Sequence, residues 1–97
     1  AGVSMAISDA ADAANSEVKI ATFDTNAQLM TAIRDGKIQF AIDQQPYLQG
    51  YMAVDSLWLA HRNGTTVGGG RPVYTGPAIV DATNVDVIAE AVGEGLR

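Results

Sequence analysis

One stretch determines how this chain is organised: residues 40–51, with the sequence FAIDQQPYLQGY. An apolar run ends there in a polar triplet, Asp43, Gln44 and Gln45. Pro46 prevents this run from continuing as a central strand, because proline has no N–H to donate to a sheet, and proline suits the first turn of a helix. The stretch therefore predicts a strand that ends near Asp43 and is followed directly by a helix.

The polar triplet is a candidate ligand-binding group. In open α/β sheets, side chains at the carboxyl ends of the strands point into the crevice where ligands bind. A carboxylate and two amides in such a place suit a ligand that carries hydroxyl groups. From spacing alone, a hydrogen-bonded strand-to-helix turn without any ligand is an equal alternative.

The composition allows one small domain and excludes several functions. The chain has 97 residues, of which 47% are hydrophobic and 18% charged, as in a folded globular protein. Its net charge of -5 and its scattered Lys and Arg residues argue against binding of a nucleic-acid backbone. Cysteine is absent, which excludes disulfides and thiolate metal sites. No apolar run approaches the ~20 residues that a membrane span needs.

Hydrophobic periodicity predicts alternating helices and strands along the chain. The predicted helices cover about residues 3–14, 27–34 and 47–61, with a last one beginning at Asp81 or Thr83; the predicted strands cover 18–23 and 38–42, with an extended segment at 73–80 after a glycine-rich linker at 63–72. Such alternation predicts an α/β protein with a parallel sheet and right-handed crossovers.

Three features of the predicted helices bear on function. The helix at 47–61 is apolar nearly all round, which predicts protein on most of its sides and favours a packed Trp58 over a ligand-stacking one. His61 is the sole histidine and lies near the end of that helix, so we expect no catalytic or metal role for it. Asp9 and Asp12 have the spacing of neighbours on one helix face, where a solvated face is favoured over a metal site.

Two predicted strands end in similar polar residues, at Asp24 and at Gln44. If the strands are neighbours, these two side chains meet at one edge of the sheet, and this is the sharpest functional inference from the residues themselves. An enzyme that uses Asp24 and Asp43 as an acid–base pair is a disfavoured alternative, because the sequence offers neither the apolar pocket nor the supporting residues that such a pair needs.

Four segments carry a resemblance to a known family: residues 18–24 (VKIATFD), 32–38 (AIRDGKI), 41–51 (AIDQQPYLQGY) and 74–77 (YTGP). In order and spacing they resemble the C-terminal part of a type I periplasmic sugar-binding protein, the receptor of an ABC sugar importer related to ribose-binding protein. The resemblance covers almost the whole chain and implies a partial fold of that type, with incomplete lobes and with alternating helices and parallel strands.

The resemblance also implies a division of the chain and two ligand-binding residues. Residues 1–43 would form part of the C-terminal sugar-binding lobe, residues 44–72 a hinge crossing and a helix of the N-terminal lobe, and residues 73–97 the return strand and final helix. Asp24 would accept hydrogen bonds from sugar hydroxyls, and the amide of Gln44, just before the hinge, would both donate and accept.

The function implied by the resemblance is capture of a monosaccharide or polyol for the membrane subunits of an ABC importer, without catalysis or a cofactor. The location would be periplasmic or extracellular, and a lipoprotein-type anchor is compatible with such a protein. The effector-binding lobe of a LacI-type transcription regulator is the alternative, and it would carry a DNA-binding headpiece upstream.

The sequence also predicts that the chain is incomplete. Its first residues lack both a signal-peptide pattern and an initiator methionine, so we expect a processed, trimmed or partial chain. The apolar helix at 47–61 has more apolar surface than two short strands can cover. We therefore expect order only with the missing N-terminal part of the same protein, or through exchange of elements with a second copy.

Overall fold

The computed structural model of the chain describes residues 2–97. Ala1, the first residue of the predicted lobe segment 1–43, lies outside the described residues. Helices and short strands alternate within this range: α1 (Gly2–Ala13), β1 (Ala21–Phe23), α2 (Ala27–Arg34), β2 (Phe40–Asp43), α3 (Pro46–Asn63), β3 (Ala78–Asp81) and α4 (Val85–Gly93). A 3-10 turn, Gly68–Gly70, interrupts the long connection between α3 and β3. The predicted α/β class is confirmed, and each predicted helix is present. The last helix begins at Val85 and not at Asp81 or Thr83 as predicted, because Asp81 still belongs to β3 and a turn separates it from the helix.

The three strands form a mixed sheet in the order β1-β2-β3. β1 runs parallel to β2, as predicted, and pairs Phe23 with Ile42. β3 runs antiparallel to β2 and pairs Ile79 with Ile42, so the prediction of parallel strands is wrong for the third strand. The physical reason is that the chain leaves the sheet at the carboxyl end of β2 and returns to the same edge, whereas a parallel strand needs a crossover to the opposite edge.

One face of the sheet is buried beneath α2 and α4. The buried apolar side chains of these two helices are Leu29, Met30, Ala32, Ile33, Val85 and Ile88. α2 begins at Ala27, as predicted, and Asn26 caps it, since the Asn26 side-chain oxygen accepts a hydrogen bond from the Leu29 N–H at 2.9 Å. Across the surface of this layer, Arg34 Nε lies 2.7 Å from Asp86 Oδ1 and joins α2 to α4.

α1 is attached to the rest of the chain by Met5, which packs against the core, and by polar contacts. The Ser4 and Thr22 hydroxyl oxygens lie 2.6 Å apart, which provides a partner for the buried threonine of β1. Asp12 Oδ2 lies 3.0 Å from Lys37 Nζ, and its hydrogen bond and negative charge raise the pKa of Lys37 above its usual value. Within residues 2–97 no group of three or more His, Cys, Asp or Glu side chains is placed to hold a metal ion. Asp12 is thus part of a surface ion pair.

α3 projects away from the sheet and is exposed along its whole length. None of the residues in Pro46–Asn63 is buried, and Leu57 and Trp58 are 73% and 58% exposed. The expectation that Trp58 packs in a core is therefore wrong for this chain by itself. The projecting helix gives a radius of gyration of 17.1 Å, against about 13 Å for a compact chain of this size. No helix in the described range is long and apolar enough to cross a bilayer.

We expect the 97-residue chain on its own to associate through α3. Burying one large apolar side chain contributes about 1.5–3 kcal/mol, so replacing both Leu57 and Trp58 with Ser should raise the dissociation constant of the associated form by at least about tenfold. Both side chains are largely exposed, so the replacements leave the core of the sheet unchanged. Sedimentation over a range of concentrations measures the effect.

The matched control for this experiment is Val87→Ser. Val87 is 76% exposed on α4, as exposed as Leu57 but on a different helix, and its replacement should leave association unchanged. A wild-type chain that sediments as a compact monomer and unfolds cooperatively would contradict the prediction.

Candidate functional site

The two residues predicted to bind a ligand, Asp24 and Gln44, follow neighbouring parallel strands at one edge of the sheet. The Asp24 N–H donates to the Ile42 carbonyl at 3.0 Å, which places it beside the end of β2, and Gln44 follows β2 directly. Both residues are exposed. The structure therefore has them at the same edge, as the sequence predicts, and their role in binding stays a prediction.

The backbone at this edge is strained at two non-glycine residues. Asp24 has φ +69° and Gln45 has φ +57°, in the left-handed region that costs an L residue roughly 1–2 kcal/mol. Each of the two residues lies just beyond one of the parallel strands. Residues held in this conformation are often found at binding and catalytic sites. Asn15, which follows α1 and lies away from this edge, shares the conformation with φ +52°. The two positions thus mark the carboxyl edge as a candidate site.

A cavity of about 440 Å³ opens at this edge. Its lining combines polar and apolar side chains from both strands and from the segment that leads into β3: Phe23, Ile42, Gln44, Gln49, Tyr74 and Thr75. Of the described residues, the lining includes Phe23 but not Asp24, which is the next residue along. Aromatic and aliphatic surface with a few amides and a nearby carboxylate suits a ligand with an apolar ring face and several hydroxyl groups.

Two segments of the chain, residues 43–46 and 74–77, lie side by side next to the cavity, and side-chain hydrogen bonds join them. We call this pair of segments the crossing. The Thr75 hydroxyl donates to the Gln44 carbonyl at 2.8 Å, and the Gln45 side-chain amide donates to the Thr75 carbonyl at 2.7 Å. Gly76 is the point of closest approach, since a Cβ atom there would lie 3.0 Å from the Asp43 carbonyl oxygen. The Gly76–Pro77 peptide bond is cis. The hydrogen bonds between the two segments of the crossing therefore hold the backbone of Gln44 in place.

Asp43 is buried, and each oxygen atom of its carboxylate has a partner. Its side chain is 1% exposed, with Oδ2 2.6 Å from Arg97 Nε and Oδ1 accepting from the Gln45 N–H at 2.9 Å. An acid–base role together with Asp24 needs a carboxyl group that reaches the ligand. Asp43 is among the residues that line the cavity, but its carboxylate is occupied by these two partners.

Sequence reasoning missed two aromatic residues at the cavity, Phe23 and Tyr74, which are 62% and 83% exposed. A signal for Phe23 was present in the predicted strand at 18–23: successive side chains of a strand point to opposite faces, so Phe23 faces away from Thr22, which the structure buries. Tyr74 lies in an irregular segment, where hydrophobic periodicity carries no such signal.

The comparisons with known proteins concern the fold of the chain and the class of protein that it resembles. No protein-family model matches the chain, and no curated protein sequence matches it. The chain is similar to the crystal structure of a carbohydrate transporter from Acidothermus cellulolyticus 11B in complex with myo-inositol, with 49% sequence identity and a TM-score of 0.85. The match covers 100% of this chain and 34% of that protein.

This similarity confirms the resemblance to part of the sugar-binding protein of a transporter, and it confirms the fold class as a portion of a periplasmic-binding-protein-like fold. The chain spans about a third of the length of the protein that it matches. The neighbour is a transporter, and no comparison supports the LacI-type alternative.

The close approach of Gly76 to the Asp43 carbonyl can be tested by adding a methyl group at Gly76. Gly76→Ala should destabilise the protein by about 1–3 kcal/mol, because the new methyl group meets backbone atoms that cannot turn aside. Urea unfolding of the full-length protein that contains these residues measures the loss.

Gly93→Ala provides the matched control for Gly76→Ala. A Cβ at Gly93 meets nothing within 4 Å, and the position is the last residue of α4, where alanine should be neutral or stabilise by up to roughly 1 kcal/mol. Equal effects of the two replacements would contradict the tight crossing.

Proposed function

We propose that this chain is the portion of a solute-binding protein that captures a monosaccharide or a polyol for an ABC importer, with Asp24 and Gln44 as hydrogen-bonding residues. The observation that carries the proposal is the cavity at the carboxyl edge of the sheet, where Gln44 and the exposed ring of Phe23 face one space. The similar transporter, which contains myo-inositol, supports a cyclic polyol or sugar as the ligand class.

Asp24 supplies the strongest single contact in this proposal. Its carboxylate is exposed, and none of the ion pairs among residues 2–97 involves it. An ionised carboxylate accepts charge-assisted hydrogen bonds, which are roughly twice as strong as those between neutral groups. Two adjacent hydroxyl groups of one ligand can share its two oxygen atoms.

Gln44 supplies a contact of a different kind. The hydrogen bonds found for it among the described residues involve its backbone carbonyl, which accepts from Thr75 and, at 3.2 Å, from Gln49. Its backbone is therefore held while its side-chain amide is left to donate to one hydroxyl and accept from another. The rings of Phe23 and Tyr74 complete the proposed site as apolar surface for the C–H groups of the ligand.

The rest of the binding site lies, in this proposal, outside these residues. α3 leaves the sheet at the crossing and buries none of its residues, which supports a division into residues 1–43 and 73–97 in one lobe and residues 44–72 at the hinge and in the other lobe. The remainder of the same protein would cover α3, or an exchanged second copy would. We place the protein outside the cytoplasm, on the periplasmic or extracellular side, where it would meet the importer's membrane subunits.

The ligand-binding roles are tested by calorimetric titration of the full-length protein with myo-inositol and a panel of monosaccharides. Asp24→Asn keeps the shape and tolerates the left-handed backbone, so the loss of the charge should weaken binding by about ten- to a hundredfold. Gln44→Ala removes neutral hydrogen bonds and should weaken binding by about two- to tenfold.

Two matched replacements serve as controls for this titration. Asp9→Asn and Gln28→Ala change the same residue types at exposed positions on α1 and α2, away from the cavity, and should leave the affinity unchanged. Full affinity in both Asp24→Asn and Gln44→Ala would refute the proposed site. A full-length protein that binds no sugar or polyol, or one with a DNA-binding headpiece, would refute the proposed function.

A further inference from the structure

We propose that Arg97 is a positioning residue of the ligand site: through Asp43 it fixes the turn that presents Gln44 to the cavity. The proposal rests on the proposed function. It also goes beyond it, because Arg97 follows α4, far along the chain from both proposed ligand-binding residues.

The ion pair of Arg97 differs from the other two found among residues 2–97. Its carboxylate partner, Asp43, has a side chain that is 1% exposed, and Arg97 itself is 23% exposed. The pairs Arg34–Asp86 and Lys37–Asp12 both lie on the surface, with every side chain at least 44% exposed. Surface pairs contribute little, whereas a buried carboxylate depends strongly on its partner. Among residues 2–97, the one ion pair with a buried member is thus the pair next to the proposed ligand site.

The Asp43 carboxylate connects Arg97 to the turn through its two oxygen atoms. Oδ2 lies 2.6 Å from Arg97 Nε, and Oδ1 accepts from the Gln45 N–H at 2.9 Å. The second contact forms an Asx-turn, in which an aspartate side chain accepts from the backbone N–H two residues ahead. It fixes the peptide group that precedes Gln45, which has a left-handed conformation. Gln44 lies between these two anchored residues, so its backbone direction depends on the orientation of the carboxylate.

Gln45 also connects this turn to the segment at residues 74–77. Gln45, once held, donates its side-chain amide to the Thr75 carbonyl, and Thr75 donates its hydroxyl to the Gln44 carbonyl. Arg97 therefore lies at one end of a continuous series of hydrogen bonds that runs through Asp43 and Gln45 to both sides of Gln44. Without the guanidinium group, the unpaired carboxylate would turn toward water and release the Gln45 N–H, which loosens the turn.

The test is a double-mutant cycle in the full-length protein, with myo-inositol as the probe and affinity as the readout. Arg97→Gln should weaken binding by about two- to tenfold, and by no more than Gln44→Ala does, since it acts by misplacing the Gln44 side chain. In the background of Gln44→Ala, the same replacement should change affinity by less than about twofold, because the residue through which it acts is already lost. Arg97→Lys keeps a cation for Asp43 and should recover part of the affinity.

Arg34→Gln is the matched control for the cycle. It removes an equally short contact, 2.7 Å from arginine Nε to an aspartate oxygen, between helices of the same layer but away from the cavity. We expect unchanged affinity for this variant. If Arg97→Gln weakens binding equally in the wild-type and the Gln44→Ala backgrounds, it acts by lowering the stability of the protein in general, and the positioning role is overturned.

A readout without ligand separates this proposal from the proposed function. Amide hydrogen exchange at Gln45 should be about tenfold faster in Arg97→Gln than in the wild type, because the acceptor of its N–H is released. If the wild-type protein binds no sugar or polyol, the proposed function fails, and faster exchange then supports the hold of Arg97 on the turn while its role in binding is overturned. Unchanged exchange together with unchanged affinity overturns the whole inference.

Discussion

The structure depends on how the chain is held where it passes the buried carboxylate of Asp43. At this point β2 ends, the chain turns through the left-handed Gln45, and α3 begins at Pro46. A buried charge needs a partner and hydrogen bonds, and here Arg97 and the Gln45 N–H supply them. The same turn orients Gln44 and meets the returning segment at Gly76. One carboxylate therefore links the fold of the sheet edge to the geometry of the candidate site.

The direction of β3 follows from the same crossing. A helix that packed on the sheet would return the chain to the amino edge of β2 and make the next strand parallel. α3 instead points away from the sheet, and residues 64–77 return to the edge that β2 left, so β3 must run back along β2. Two segments then lie side by side at the edge, with hydrogen bonds between Gln44, Gln45 and Thr75. The antiparallel strand and the double crossing are two results of one cause.

Much of this could be predicted from the sequence, because local signals and global structure agree at many positions. The stripe of α2, its cap at Asn26, the proline that ends β2 and the polar residues after both parallel strands are all local patterns. The direction of β3 could not be predicted, since alternation of helices and strands does not say whether a helix packs on the sheet. Arg97 and Tyr74 could not be predicted either, because their importance depends on contacts across the fold rather than on spacing.

The exposed aromatic rings at the cavity show why this arrangement fits one side of a binding site. Phe23 and Tyr74 are each more than half exposed, and Asp24 faces water, so a ligand resting on them would keep much of its own hydration. Sugar sites gain affinity when the ligand is enclosed, because water then no longer competes for the same hydrogen bonds. The large apolar surface of α3, on the far side of the crossing, is of the kind that supports a second body next to such a site. Under the proposed function, the held crossing and the exposed ligand face are complementary, because closure of a second body over a fixed surface would turn weak exposed contacts into enclosed ones.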